Sequence, residues 1–349
     1  MEREEPRGWS ALREWARNSN AHRAPAVPPT IITRTSEDFA SPPQSGLRVT
    51  WLGHSSSLIE IDGQRLLLDP VLGPRASPFS CVGPKRFHEP PLPVCELPVL
   101  DAVVISHDHY DHLDYDTVLQ LAPTSVPFVV PLGVGAHLEH WGISPERISE
   151  LDLWDSHRLG SVELIATPAR HFSGRSLTGT DRDRTLWAGW AVLGSQHRVY
   201  FTGDTGMFPG FGEIGERLGP FDVALIESGA YNPLWRDVHI GPEQAVIACQ
   251  LAKAKLLMPV HWATFNLSMH NWTEPIERIL TAAERARVQV VTPRLGASFE
   301  PTTPPPVDRW WPDLPWQKAE DLPAVSSGLA EPLEQRIRAL CSPPDSTAP

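Results

Sequence analysis

Cysteine is scarce. Cys81, Cys95, Cys249 and Cys341 are the only four in 349 residues, and they form no CxxC pair; thiols that sparse exclude a disulfide-stapled scaffold and read as ordinary or buried side chains. Basic charge is also short, with 30 Lys and Arg against 42 Asp and Glu, a net charge of −12 and no basic patch. Nucleic acid is therefore not an expected partner, because its phosphate backbone would be repelled. No long apolar run occurs. The longest uncharged stretch, residues 117–136, is interrupted by Pro123, Pro127 and Pro131 and diluted by Gln120, Thr124 and Ser125, so no membrane span is expected. The opening MEREEPRGWS is acidic where a secretory signal needs a basic region and an apolar run, and the chain reads as cytoplasmic. Gly53-His54-Ser55 and Gly203-Asp204-Thr205-Gly206 read as tight turns, and neither matches a P-loop, so nucleoside triphosphate chemistry has no support. What remains, 41% hydrophobic and 21% charged, is a globular protein of one to two domains.

Three regions are expected. Residues 1–46 hold a short helix candidate at 9–16 and then a Pro/Thr/Ser-rich arm; Trp9, Leu12 and Trp15 could share one face of that helix, either packed on the protein or docked on a membrane or a partner. Residues 47–300 alternate short apolar runs with helical stretches. Strands are predicted at 47–51, 57–61, 64–69, 102–106, 126–130, 163–167, 188–193, 199–202, 223–226, 256–260 and 288–291, and helices at 115–121, 134–141, 242–253 and 275–287. This order fits an α/β fold, an αββα sandwich of two mixed sheets with helices outside, in which a duplicated half could be hidden. Residues 301–349 form a Pro/Trp-rich tail whose Trp310, Trp311 and Trp316 should pack on the body. A weak helix candidate lies at 329–340, and the polar stretch beyond Val325 reads as dispensable.

The strongest feature is His107-Asp108-His109-Tyr110-Asp111-His112, directly after the apolar run AVVIS. An HxHxDH string should arise by chance only about once in a thousand chains of such composition. Alternate imidazoles with a carboxylate suit zinc-class ions, and the string carries four ligands, enough to begin two sites. Three further candidates, His171, Asp204 and His261, each lie at or shortly beyond the end of an apolar strand, where open α/β sheets gather their sites. Asp204 has two oxygens and could bridge two cations about 4 Å apart.

These residues resemble the metallo-β-lactamase superfamily. The segments WLGHSSSLIEIDGQRLLLDP, SPFSCVGPKRF, SHDHYDHLD, TPARHFSGR, RTLWAGW, FTGDTGMFPGFGEIGERLGPFD, GAYNPLW and VHWATF narrow the resemblance to the branch containing the N-acylphosphatidylethanolamine-hydrolysing phospholipase D and its bacterial relatives, over residues 47–299. The resemblance implies two zinc ions per chain, with other divalent transition metals as alternatives: one on His107, His109 and His171, a second on Asp111, His112 and His261, and Asp204 shared. It also implies that Tyr110 and His239 meet a phosphodiester substrate, although His239 could equally be a turn residue before the helix start at Gly241-Pro242. Two departures from the branch stand out. Glu227-Ser228 replaces its usual apolar-Pro-apolar lead into Gly-Ala-Tyr, and the segment 235–239 is shortened.

The expected chemistry is metal-assisted hydrolysis, with Asp111 and Asp204 orienting the attacking water. Arg175 is a candidate anion contact or else a salt-bridge residue. Trp187, Trp190, Trp235, Phe208 and Phe211 suggest an apolar lining for a small-molecule or lipid diester. Rival readings are a lactonase acting on sugar-phosphate lactones and a metal-binding scaffold with a silent site. A peripheral contact at the inner face of the membrane and a homodimer are compatible with this reading.

Overall fold

The computed structural model describes residues 22–342; the helix candidate carrying Trp9, Leu12 and Trp15 lies outside them. Fourteen strands form two seven-stranded sheets. The first sheet holds β1 (Leu47–Gly53), β2 (Ser56–Ile61), β3 (Gln64–Leu68), β4 (Ala102–Val104), β5 (Phe128–Pro131), β6 (Ile148–Leu151) and β14 (Ser298–Phe299), in the order β14-β1-β2-β3-β4-β5-β6. The second holds β7 (Ser156–Leu159), β8 (Val162–Thr167), β9 (Gly189–Leu193), β10 (Arg198–Phe201), β11 (Val223–Glu227), β12 (Leu256–Val260) and β13 (Gln289–Val290), in the order β13-β12-β11-β10-β9-β8-β7. Each sheet runs antiparallel through its first-formed strands and parallel thereafter. That is the duplicated half: β7 opens the second sheet, and β14 returns from the C-terminal side to take the matching edge of the first.

Side-chain alternation places the core. Val49, Trp51, Ile59, Leu66, Leu68 and Val104 from the first sheet meet Leu164, Trp190, Val192, Phe201, Leu225 and Met258 from the second. The residues between them in sequence, such as Leu58, Leu67 and Val103, face outward under helices, as a period of two requires. Among the described residues six helices cover the outside: α1 (Tyr115–Leu121), α2 (Gly135–His140), α3 (Gly210–Leu218), α4 (Pro242–Leu251), α5 (Glu274–Ala286) and α6 (Glu331–Cys341). Local chemistry starts them. Asp114 caps α1 by accepting the Thr117 N–H at 3.2 Å, and α4 begins with Pro242 while Gln244 reaches back to the Gly241 N–H at 3.0 Å. Helix α3 was not expected, because three glycines dilute its propensity; Phe211, Ile214, Gly215 and Leu218, buried at helical spacing, show why it forms. The strands β6 and β7 were also missed, since ISEL and SHRL lack an apolar run.

The tail is part of the body. Trp310 and Trp311 pack on Trp262, with ring centroids 5.4 Å apart in each pair, and Trp262 stacks on Trp51 at 5.5 Å. Beyond Val325 the expectation of a dispensable segment is overturned: Leu329, Ile337 and Cys341 are buried, and Ser326 and Ser327 are tied into the centre of the molecule. Ser326 Oγ accepts the Met207 N–H at 3.1 Å, and Ser327 donates through N and Oγ to Asp237 at 2.7 and 2.6 Å. The arm of residues 24–46 likewise runs along the body, with the Ile32 N–H donating to the Leu295 carbonyl at 2.8 Å. Among the described residues no helix is long and apolar enough to cross a membrane.

Candidate metal centre

Strand direction gathers the site. Because β1 and β2, and β2 and β3, are antiparallel while β3 and β4 are parallel, the carboxyl ends of β1, β3 and β4 lie on one edge of the first sheet. The same reasoning puts the ends of β8, β10, β11 and β12 on one edge of the second. His54, Asp69, the His107–His112 loop, His171, Asp204, Glu227 and His261 sit at or just past those seven ends, and they meet across the top of the sandwich. His54, Asp69 and His261 have positive φ angles of 53°, 36° and 67°, a conformation that side chains rarely adopt and that is held at functional sites by surrounding structure. The Asp204 turn needs glycine before it: Gly203 has φ +55°, and a Cβ there would lie 2.7 Å from the Cβ of Ser106.

All seven metal-ligand candidates converge. His107 Nε2 lies 2.9 Å and His171 Nε2 3.2 Å from His109 Nδ1, and both are within 3.9 Å of Asp204 Oδ2. On the other side, Asp111 Oδ2 is 3.6 Å from His112 Nε2 and 3.2 Å from His261 Nε2, while Asp204 reaches His112 through Oδ1 at 3.2 Å and His261 through Oδ2 at 3.1 Å. Asp204 thus belongs to both groups. The tautomers show what the cluster suits. Ser106 Oγ donates to Asp69 Oδ2 at 2.5 Å and so accepts from His107 Nδ1 at 2.9 Å, and His171 Nδ1 donates to the Val238 carbonyl at 2.7 Å. Both Nε2 atoms are then lone pairs aimed at one point, and the buried His112 Nε2 and Asp204 Oδ1 have no hydrogen-bond partner. Imidazole nitrogens and carboxylate oxygens converging on one buried point fit divalent cations.

Electrostatics divide the cluster. Burial opposes the charged form of His112 and His261, but the carboxylates of Asp204 and Asp111 outweigh it, raising His112 well above the usual histidine range and His261 to about 10, so a cation bound there would displace their protons. Burial, reinforced by neighbouring imidazoles, pushes His107 and His171 well below the usual histidine range, the neutral form that binds metal. Burial also opposes ionisation of Asp111 and Asp204, but the surrounding histidines outweigh it and hold both well below the usual carboxylate range.

Three residues of the site were not singled out as side chains in the sequence. Asp69 accepts from His112 Nδ1 at 2.6 Å and, through Ser106, from His107, so one buried carboxylate orients an imidazole in each group. His54 was read only as a turn; its Nε2 lies 3.1 Å from Asp111 Oδ2, and burial and the nearby His261 lower its pKa to about 3, leaving a neutral ring that donates to Asp111. Glu227 is the third. Each stands at a strand end, the signal that marked Asp204 and His261. Asp69→Asn is expected to lower metal affinity about 10- to 100-fold, the usual cost of losing such an orienting partner, measured by faster metal loss to a chelator. Unchanged loss kinetics would show that Asp69 does not hold the ligands.

A cavity of about 290 Å³ opens over the cluster, with His109, Asp111, Asp204, His239 and His261 on one side and Phe172, Ala230, Trp235, Val238 and Leu267 on the other. Of the five aromatics expected to line it, only Trp235 does. Trp190 and Phe211 are core, Phe208 packs under α3, and Trp187 is held by its indole N–H on the Ala169 carbonyl. Tyr110 and Arg175 are also placed elsewhere. They line a separate cavity of about 630 Å³ with Trp141 and Tyr115. Tyr110 donates to the Arg175 carbonyl at 2.7 Å, and the Arg175 guanidinium stacks 4.0 Å over the Tyr110 ring and donates to the carbonyls of Asp108 and Leu113 at 2.6 and 2.8 Å. The two brace the back of the ligand loop, a polar backbone segment that must be satisfied where it is buried. His239 does line the metal cavity. Its Nδ1 is 3.0 Å from Glu227 Oε2, and although burial opposes it, the charges of Glu227 and Asp204 raise its pKa above the ordinary histidine value.

Comparison with known proteins agrees with the fold. Residues 64–262 match the family model described as a β-lactamase superfamily domain. An uncharacterized protein of Mycobacterium tuberculosis is 48% identical over 83% of this chain and 78% of its own length. The N-acyl-phosphatidylethanolamine-hydrolyzing phospholipase D 1 of Caenorhabditis elegans is 39% identical over 70% of this chain and 71% of its own length. Among solved structures, Igni18, a metallo hydrolase from Ignicoccus hospitalis, superposes with a TM-score of 0.55 at 22% identity over 73% of this chain and 98% of that one, a likeness of fold. The chain is therefore a member of the metallo-β-lactamase superfamily, in the branch of the N-acyl-phosphatidylethanolamine-hydrolyzing phospholipases D.

Proposed function

We propose that the protein is a di-zinc phosphodiesterase of phospholipase D type, acting on N-acylphosphatidylethanolamine-like lipids or other phosphodiesters. The observation that carries this reading is the two-sided cavity, in which carboxylates and His239 face an apolar wall directly over the ligand cluster. One group is suited to one ion through His107, His109, His171 and Asp204, the other to a second through Asp111, His112, His261 and Asp204. When bound, such ions supply Lewis-acid polarisation of the phosphoryl oxygens and a water acidic enough to ionise near neutral pH.

The chain's own residues do the rest. Asp111 and Asp204 accept hydrogen bonds from the attacking water and turn a lone pair toward phosphorus. His239, held at Nδ1 by Glu227, keeps Nε2 for a phosphoryl oxygen or for the proton taken up by the departing alcohol as its P–O bond breaks. Trp235, Phe172 and Leu267 exclude water and accept an ester arm. No serine or cysteine nucleophile is needed.

The test is a hydrolysis screen of metal-analysed protein. Expected are about two zinc-class ions per chain, and a higher kcat/KM for bis(p-nitrophenyl) phosphate or a glycerophospholipid than for sugar lactones, with phosphomonoesters poor because of their extra charge. His239→Ala should lower diester turnover roughly ten- to a thousandfold with zinc retained. Faster turnover of lactones, or full diester turnover by His239→Ala, would replace this reading with the lactonase.

A further inference from the structure

Glu227 places a side-chain acceptor at a strand end beside the candidate metal cluster. Here the carboxylate is fully buried at the end of β11. Its Oε1 accepts the N–H groups of Thr205 at 3.0 Å and Ile240 at 3.1 Å, joining the turn that carries Asp204 to the turn that carries His239. Its Oε2 lies 3.0 Å from His239 Nδ1 and 3.9 Å from His261 Nδ1. It also shares a cluster with Asp204, their ligand atoms within 4.8 Å of each other. Two carboxylates so close in a buried site cost several kcal/mol unless protons or cations stand against them. Filling a gap at a strand end does not require that cost, because an apolar side chain would do so without it.

What Glu227 adds is a direction. With Oε1 taken up by two backbone donors, Oε2 is the acceptor left facing His239, and the 3.0 Å contact is one that the imidazole donates from Nδ1. The ring is then turned so that its other nitrogen serves the cavity, which His239 lines with 16% of its side chain exposed. We propose that Glu227 is a positioning residue for His239, fixing which ring nitrogen is committed to the protein and which is presented to substrate. It acts through His239 and touches no reacting atom. The kinetic part of this inference rests on the phosphodiesterase reading; the placement of the Nδ1 proton does not.

Glu227→Gln is the decisive variant. Glutamine keeps the volume and an oxygen for the two backbone donors, but it presents an NH₂ group to His239 and so reverses the polarity of that one hydrogen bond. Nitrogen-15 NMR of the zinc-loaded, histidine-labelled protein, with the His239 signals assigned by their loss in His239→Ala, should show a proton on His239 Nδ1 in the parent and none in Glu227→Gln. Diester kcat should fall about 10- to 100-fold with KM within about threefold and zinc content unchanged, the scale of losing an orienting hydrogen bond. Glu227→Asp, which restores an acceptor, should recover part of it. The double variant with His239→Ala should be no slower than His239→Ala alone, because both remove one device. An unprotonated His239 Nδ1 in the parent overturns the proposal, whether or not Glu227→Gln folds. So does a Glu227→Gln protein that keeps the proton and the turnover, or a double variant slower by the product of the two singles. A parent that hydrolyses no diester would instead overturn the phosphodiesterase reading, and the NMR result would still decide the role of Glu227.

Discussion

Asp204→Ala is expected to lower kcat/KM on a phosphodiester by about ten-thousandfold, equivalent to roughly 5 kcal/mol, and to leave the protein with close to one metal ion per chain. Asp204 carries a negative charge within 4 Å of imidazoles of both groups, through Oδ1 to His112 and Oδ2 to His107, His171 and His261. Replacing it by alanine takes away the negative charge that stands between two cation sites in a water-poor setting, where charges interact far more strongly than in bulk. Asp204→Asn, which keeps shape and one oxygen but no charge, should fall between alanine and the parent. Elemental analysis alongside turnover checks this, and an alanine variant with full metal content and activity would show that the bridge is elsewhere.

Removal of everything after Val325 is the second large effect, and it runs against what composition suggests. The missing segment supplies buried Leu329 and Ile337, worth roughly 2 kcal/mol each as area removed from water. It also supplies the Ser327 groups that satisfy Asp237, with the Ser327 carbonyl accepting from Arg170 Nη1 at 3.0 Å. Asp237 is fully buried, and Arg170 Nη1 is 3.2 Å from its Oδ1; each hydrogen-bond partner taken from such a buried charged group costs about 1.5 to 3 kcal/mol. Together these approach the whole stability of an ordinary domain. The truncated chain should melt at least about 15 °C lower or be recovered insoluble. It should also lose turnover more steeply than metal, because Asp237 and Val238 immediately precede His239 while the ligands sit on other loops. A soluble truncation with parental melting and activity would refute the role assigned to Ser326 and Ser327.

Much of this protein is local, and for that reason legible in order of residues alone. Apolar runs such as 223–226 and 256–260 became β11 and β12 because a short unbroken apolar run suits a strand buried on both faces, and helix 115–121 was recovered because its Asp114 cap is four residues of chemistry. The ligand string 107–112 needs no tertiary information to be recognised, since its spacing already places donors on one short loop. His171, Asp204 and His261 followed from the rule that sites gather at strand ends. The misses have two causes: in α3 three glycines mask the helical spacing of Phe211, Ile214 and Leu218, and β6 and β7 owe their existence to their neighbours in the ladder.

The division is sharpest around the metal cavity. Which residues could bind metal is written in their side-chain chemistry and depends on no distant contact. Which of them act, and on what, depends on side chains far apart in the chain being brought within hydrogen-bond reach. Tyr110 sits inside the ligand string yet turns its ring to Arg175, because neighbours along a loop point in different directions. Glu227 looked like a departure from the branch pattern and is instead the partner of His239, twelve residues away. Ser326 and Ser327 read as dispensable from their small, polar surroundings, and only their closure onto Met207 and Asp237 makes them part of the centre. Hydrogen bonds of that kind are formed across the fold, where sequence separation carries no information about distance.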